Sequence, residues 1–366
     1  MIKVNILTQG FRSTNGVGFL YPIVFNKLRF QNIGLDIQIH TKKSDALYDC
    51  DIFISDSKIY RDDWANNSEM IFNDFRKYKE KIKKVIFYDI GDSSGGLIDK
   101  IIPYVDLYIK SFTYKNKQLY KNEFYNNRIW TDYYHREFNI NDDSINVSKN
   151  NLSDSDIQKI RTGHNQGLVD CSLNGKFIVG RYYNELMRKY LYFNKLSYCN
   201  DDAFVVPSVN RNLDLSCRIG IGYNRNTVSY QRKQVSLKLS EYIQTNKLKR
   251  KEYFDELKKS KVVISPFGWG ELNTPRDYEV AINGALLLKP DVSHIDTYPN
   301  IFTDEYIETF KWDLSDLEMK IEDITSRYEN YIEKAIKYQN IYKYHISTED
   351  GYYDFCDYFK NIILND

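Results

Sequence analysis

Short β-rich runs separated by stretches of helical length recur along this chain, and that alternation constrains the fold more than any other feature. Residues 3–7 form the first such run, followed by a polar loop at 8–18, an amphipathic stretch at 19–30 and a second strand at 35–40. Residues 51–55, 84–89 and 105–109 continue the strand pattern, with a Lys- and Glu-rich helical stretch at 73–84 between two of them. Strands alternating with helices predict a parallel sheet covered on both faces. A second series starts near Leu213, with a strand at 215–221, helices at 237–244 and 250–259, a strand at 261–265, a helix at 275–283 and a strand at 285–289. The remainder reads as mainly helical, and a last helix at 352–364 is long enough to reach back to the first half. A length of 366 residues exceeds one ordinary domain. An α/β architecture is therefore predicted, with domains at 1–205 and 206–345 and a C-terminal helix within 346–366.

Charge narrows the class of partner. Lys and Arg total 51 against 50 for Asp and Glu, so no global field recruits nucleic acid and an anion must be held by a local site. A small anionic ligand is the expected partner. The five cysteines, Cys50, Cys171, Cys199, Cys217 and Cys356, stand at wide spacings without a C-x-x-C pair, which indicates neither zinc nor a disulfide framework. Asp142-Asp143 and Asp201-Asp202 read as loop acids, and no metal is expected. No run approaches the ~20 apolar residues of a membrane helix. A cytoplasmic location is expected, with at most peripheral contact at the inner face of a membrane.

Chemistry concentrates at residues 265–285, which read as strand end, Gly loop, helix and Gly stop. Thr274 is placed as N-cap, Pro275 as the first helical residue and Asp277 as the reciprocal acid. Gly268, Trp269 and Gly270 bring main-chain amides to that helix start, a seat suited to a diphosphate, with Asn273 and Thr274 beside it. Glu271 and Glu279 put one carboxylate in the loop and a second along the helix.

This loop-helix unit, with its Glu271-x7-Glu279 spacing and the exit Gly284-Ala285-Leu286-Leu287-Leu288, resembles retaining glycosyltransferases of the GT-B fold that carry an E-x7-E motif. The resemblance implies two facing Rossmann-like domains and a nucleoside diphosphate sugar as co-substrate, without a further cofactor. It implies a glycan or lipid-linked glycan acceptor, in a setting such as polysaccharide or lipopolysaccharide assembly. Glu271 would contact the donor sugar, Glu279 the ribose hydroxyls, and a nearby Arg and Lys the diphosphate. Arg225, Arg232, Lys233 and Lys238 are the cations available, and Glu271, Arg232 and Lys233 are assigned as the catalytic residues. Such cations stabilise the departing diphosphate without a metal.

In the first half, Gly16 and Gly18 lie in a loop similar to the Gly-rich loop facing the cleft in GT-B enzymes, while the G-x-G-x-x-G dinucleotide fingerprint is absent. Asp92, His135 and His164 are the further cleft candidates. An inverting GT-B transferase would draw its general base from those three. A non-catalytic nucleotide-sugar binding or scaffold protein is the non-enzymatic alternative.

Overall fold

The computed structural model describes residues 1–145, 151–175, 177, 199, 201–272 and 275–365. Among them, strands β1 (Ile2–Leu7), β2 (Leu35–His40), β3 (Ile52–Asp56), β4 (Lys84–Asp89), β5 (Leu107–Lys110) and β7 (Ile160–Thr162) form a sheet in the order β2-β1-β3-β4-β5-β7. Every pairing in it is parallel; Val4, for example, stands opposite Ile37 on one side and Ile52 on the other. The second sheet runs β12-β10-β9-β8, from β8 (Leu213–Ser216), β9 (Ser260–Ile264), β10 (Leu286–Pro290) and β12 (Glu308–Phe310), again parallel. β3 and β10 are buried along their whole length, as expected of strands covered on both faces.

The two sheets are joined by a ladder of their own. β6 (Phe112–Tyr114) leaves the first sheet and pairs antiparallel with β11 (Ile295–Thr297) of the second half, Thr113 standing opposite Asp296. A single buried apolar cluster runs from Val4 and Ile54 through Trp130 to Val263 and Tyr278. The helix Glu349–Leu364 returns to the first half, where Phe355 and Phe359 pack edge-on against Phe30 at 5.8 and 5.5 Å and Glu349 pairs with Arg29. Two facing Rossmann-like sheets with a returning C-terminal helix are the GT-B arrangement expected from the sequence. No helix among the described residues is long and apolar enough to cross a membrane.

Three local expectations are corrected. The helix Thr14–Phe25 begins inside the span read as loop, because Ser13 caps it by accepting from the Gly16 amide at 3.0 Å. β8 ends at Ser216 and not at 221. The helix predicted at 237–244 is instead Asn226–Leu239. Its buried stripe, Val228, Gln231, Arg232, Val235 and Leu239, has helical spacing but includes two polar residues, which hides the period from a hydrophobicity reading.

Candidate functional site

In a parallel α/β sheet ligands bind beyond the carboxyl ends of the strands, above all where strand order reverses. Here the carboxyl ends of both sheets face one cleft of about 400 Å³. The first sheet contributes Ser13, Thr14 and Asn15 after β1, Lys58 and Arg61 after β3, Ile90, Gly91 and Asp92 after β4, and His164, Asn165 and Gln166 after β7. The order reverses at β1, between β2 and β3, within this wall. The second sheet supplies Tyr223 after β8 and Gly268, Trp269, Gly270 and Leu272 after β9.

The Gly loop after β9 is held from both sides. Lys289 on β10 and Asp277 form a fully buried ion pair at 2.7 Å, and Lys289 Nζ also donates to the Glu271 carbonyl at 3.0 Å. Ser265 donates to the other Asp277 oxygen at 2.6 Å. Asp277 therefore anchors the loop instead of capping the helix Arg276–Ile282. Burial lowers the Lys289 ammonium, with Asp277 pulling the other way. From the first half, the loop after β4 closes against Gly270, where an added Cβ would stand 1.6 Å from the Asp92 carbonyl oxygen. Only glycine permits that approach.

Glu271 sits 1% exposed at this junction. Its Oε1 accepts from Ser94 Oγ at 2.7 Å and Ser93 Oγ at 3.2 Å, and Oε2 accepts from the Ser94 amide at 3.1 Å. The main chain around Glu271 borders the cleft, but the carboxylate is turned away from it into the contact between the halves. In this structure the carboxylate expected to meet a sugar makes a contact that joins the two sheets.

Beside the cleft, and sharing Tyr223 and Trp269 with it, lies a recess of about 350 Å³ lined also by Gly220, Gly222, Asn224, Arg232, Lys247 and Arg276. Arg232 is 3% exposed; it donates to the Phe267 carbonyl at 2.6 Å and the Gly220 carbonyl at 3.0 Å, and lies over the Tyr223 ring. Burial and the neighbouring Arg276 guanidinium push Arg232 down to about 10. Arg276 Nη1 is buried without a hydrogen-bond partner. Neither guanidinium makes an ion pair with a carboxylate among the described residues. Two like charges held together with an unmet donor are suited to an anion, with Asp277 and Glu279 the carboxylates that already act on Arg276. Trp269, 41% exposed and edge-on to Tyr223 at 5.1 Å, stands where recess and cleft meet.

The other sequence candidates divide. Gly18 and Asp92 line the cleft, and Asp92 accepts from Asn15 at 2.8 Å. Gly16 is instead spent on the Ser13 cap. His164 borders the cleft but is fully engaged: the Tyr88 hydroxyl donates to Nδ1 at 2.8 Å, and Nε2 donates to the Phe19 carbonyl at 2.9 Å. Burial pushes it down to about 4, which keeps the imidazole neutral, and with both nitrogens engaged neither is open to a ligand in the cleft. His135 stacks on Tyr125 at 3.9 Å and bonds the Ile140 carbonyl, away from the cleft.

Lys233 is exposed on the outer face of its helix, and Lys238 pairs with Glu318 at 2.9 Å; neither lines the cleft or the recess. Arg225 borders a different recess on the first-sheet side. Glu279 is 4% exposed and pairs with Arg250 at 2.8 Å, so its carboxylate supports the helix from behind and does not line the recess. Burial raises the Glu279 carboxyl and Arg250 opposes the rise. Asn273 and Thr274 lie outside the described residues. The helix Arg276–Ile282 is short, so an anion in the recess would be met by guanidinium groups and not by a helix terminus. Arg276, Lys247 and Tyr223 escaped the sequence reading; the signal was a cation directly after Pro275.

No protein-family model and no curated protein matches the chain. Among solved structures, Anabaena HepE in complex with UDP and glucose is similar over 98% of this chain and 100% of its own, at 6% identity and a TM-score of 0.47. A glycosyltransferase from Rickettsia africae is similar over 100% and 99%, at 10% identity and 0.43. An alpha-glucosyltransferase in complex with UDP-glucose and DNA containing an abasic site is similar over 99% of both chains, at 9% identity and 0.40. Assignments at the site rest on the geometry of this chain.

Proposed function

We propose that this protein is a glycosyltransferase that moves a sugar from a nucleoside diphosphate sugar to a glycan or lipid-linked glycan hydroxyl in the cleft. The observation that carries this reading is the recess of Arg232, Arg276 and Lys247 opening past Trp269 and Tyr223 into the cleft. A diphosphate in that recess would meet two guanidinium groups and an ammonium, and the sugar it bears would extend past Trp269 toward the first sheet. As the anomeric C–O bond breaks, negative charge grows on the departing diphosphate, and fixed cations lower that barrier. Those cations fill the role a divalent ion would otherwise have, so the transfer is read as metal-independent.

Retention at the anomeric carbon is what the Glu271-x7-Glu279 resemblance implies, and it rests on that spacing alone, since Ser94 engages the Glu271 carboxylate and Arg250 that of Glu279. An inverting route is the second reading, favoured by one observation: Asp92 is an exposed carboxylate on the cleft wall opposite Trp269. The anomeric configuration of the product, read by proton NMR, separates the two routes.

The test is a thermal-shift and donor-hydrolysis screen of UDP-, GDP-, ADP- and CMP-sugars, repeated with excess EDTA. A nucleotide that raises the melting temperature of the native protein but not of Arg276→Gln, with turnover unaffected by EDTA, supports the reading. No shift with any of them at millimolar concentration would remove it.

A further inference from the structure

A second cationic recess opens from the same cleft, on the wall opposite Arg232 and Arg276. It measures about 280 Å³ and shares Lys58, Arg61, Gly91 and Asp92 with the cleft, so the two spaces adjoin. Arg128 and Arg225 complete its cationic lining. Lys110 also borders it, but is neutralised by Asp89 at 2.6 Å, both side chains being buried. Among the described residues the side chains of Lys58, Arg61 and Arg225 make no ion pair, and Arg128 Nη1 is buried with no hydrogen-bond partner. Burial lowers the Arg128 guanidinium and the nearby Arg225 adds to this, while the Glu271 and Asp92 carboxylates pull the other way. Four cations thus meet one exposed carboxylate, Asp92, and one carboxylate already occupied by serine donors, Glu271.

The recess is built, not incidental. Asn126 and Asn127 both take left-handed backbone, φ 53° and 60°, immediately before Arg128. Such conformations cost free energy and persist where surrounding contacts impose them. Gly95 sits flush beneath, an added Cβ there lying 2.1 Å from the Asn127 carbonyl oxygen. Asp142 ties the two arginine-bearing segments together: it accepts from the Asn126 side chain, and from the Thr227 amide and hydroxyl at 2.8 Å each, at the head of the helix that follows Arg225.

Resting on the reading of the cleft as a glycosyl-transfer site, we propose that the acceptor carries a phosphate group, on its sugar or on its lipid, and that Arg128, Arg225, Arg61 and Lys58 seat it. A neutral glycan would leave the buried Arg128 donor unmet and these neighbouring cations unmatched. A phosphate would satisfy the unmet Arg128 donor and offset the repulsion between Arg128 and Arg225. It would also fix the acceptor at the end of the cleft away from the leaving diphosphate, orienting a hydroxyl toward the donor.

The experiment is calorimetric titration of native protein, Arg276→Gln, Arg128→Gln, Arg225→Gln and Arg61→Gln with glucose 6-phosphate and with glucose. Vesicle sedimentation with phosphatidylglycerol against phosphatidylcholine is run in parallel. Glucose 6-phosphate is expected to bind more tightly than glucose, to survive Arg276→Gln, and to weaken at least about tenfold in Arg128→Gln and Arg225→Gln. Binding to phosphatidylglycerol vesicles alone, lost with the same substitutions, supports a lipid-borne phosphate. Arg225→Gln and Arg61→Gln alter side chains that are not fully buried, so they remain informative if Arg128→Gln fails to fold. Equal binding of glucose 6-phosphate and glucose without vesicle binding, or binding lost only with Arg276→Gln, overturns the proposal. A missing nucleotide shift instead removes the transferase reading and leaves this anion site to stand or fall on its own titration.

Discussion

The Glu271 carboxylate accepts both the hydroxyl and the backbone amide of Ser94, a residue from the other half of the molecule. Buried hydrogen bonds to a charged group contribute about 1.5–3 kcal/mol each. A double-mutant cycle of Glu271→Ala and Ser94→Ala, followed by urea denaturation, is expected to give a coupling energy of about 1–3 kcal/mol. Strictly additive effects would show that the pair does not hold the halves together.

Gly270→Ala places a methyl group where the Asp92 carbonyl oxygen now stands. The halves must separate locally, at a cost of about 1–3 kcal/mol typical of overpacking. Transfer should fall while the nucleotide-induced rise in melting temperature persists, because the Arg232–Arg276 recess lies in the second half alone. Loss of both together would mean that the recess depends on closure.

Arg276→Gln and Lys247→Gln are expected to weaken nucleotide binding at least about tenfold, as removal of a phosphate-facing cation does. Lys233→Gln and Lys238→Gln, outside the recess, should leave the nucleotide shift unchanged. The reverse ranking would return the diphosphate to the outer face of the helix Asn226–Leu239.

Stability should decline in acid over a defined window. His164 and His345 are both held down to about 4 by burial. As pH falls below the ordinary histidine value of ~6.5, the unfolded chain takes up protons that the folded chain refuses, so stability present above that value is lost progressively toward about 4. The loss is about 3 kcal/mol per residue, read as a falling urea midpoint. His164→Gln should flatten the profile, even from a lower starting stability.

Much of the fold was legible because buried parallel strands announce themselves: β4 was bounded correctly from its apolar run, and β9 and β10 to within a residue. The site was less legible for a physical reason. On the helix Asn226–Leu239 the buried stripe carries Gln231, which accepts from the Phe267 amide at 2.9 Å, and Arg232, so residues that shape the recess look like breaks in the pattern. The Gly268-Trp269-Gly270 loop was found at the cleft because its sequence is unusual. The direction of the Glu271 carboxylate was not legible, since it depends on Ser93 and Ser94, about 180 residues away in sequence. His164 illustrates the same limit: Tyr88 and Phe19, which occupy both its nitrogens, are brought to it only by folding.

The return of the helix Glu349–Leu364 bears on how the chain is made. Phe30 is completely buried, and the rings that cover it, Phe355 and Phe359, belong to residues synthesised more than 300 positions later. During translation the first sheet emerges with that aromatic surface bare, and it stays bare until the helix Glu349–Leu364 has left the ribosome. A fragment ending before residue 349 should therefore aggregate, and supplying the missing helix in trans as a peptide should restore solubility.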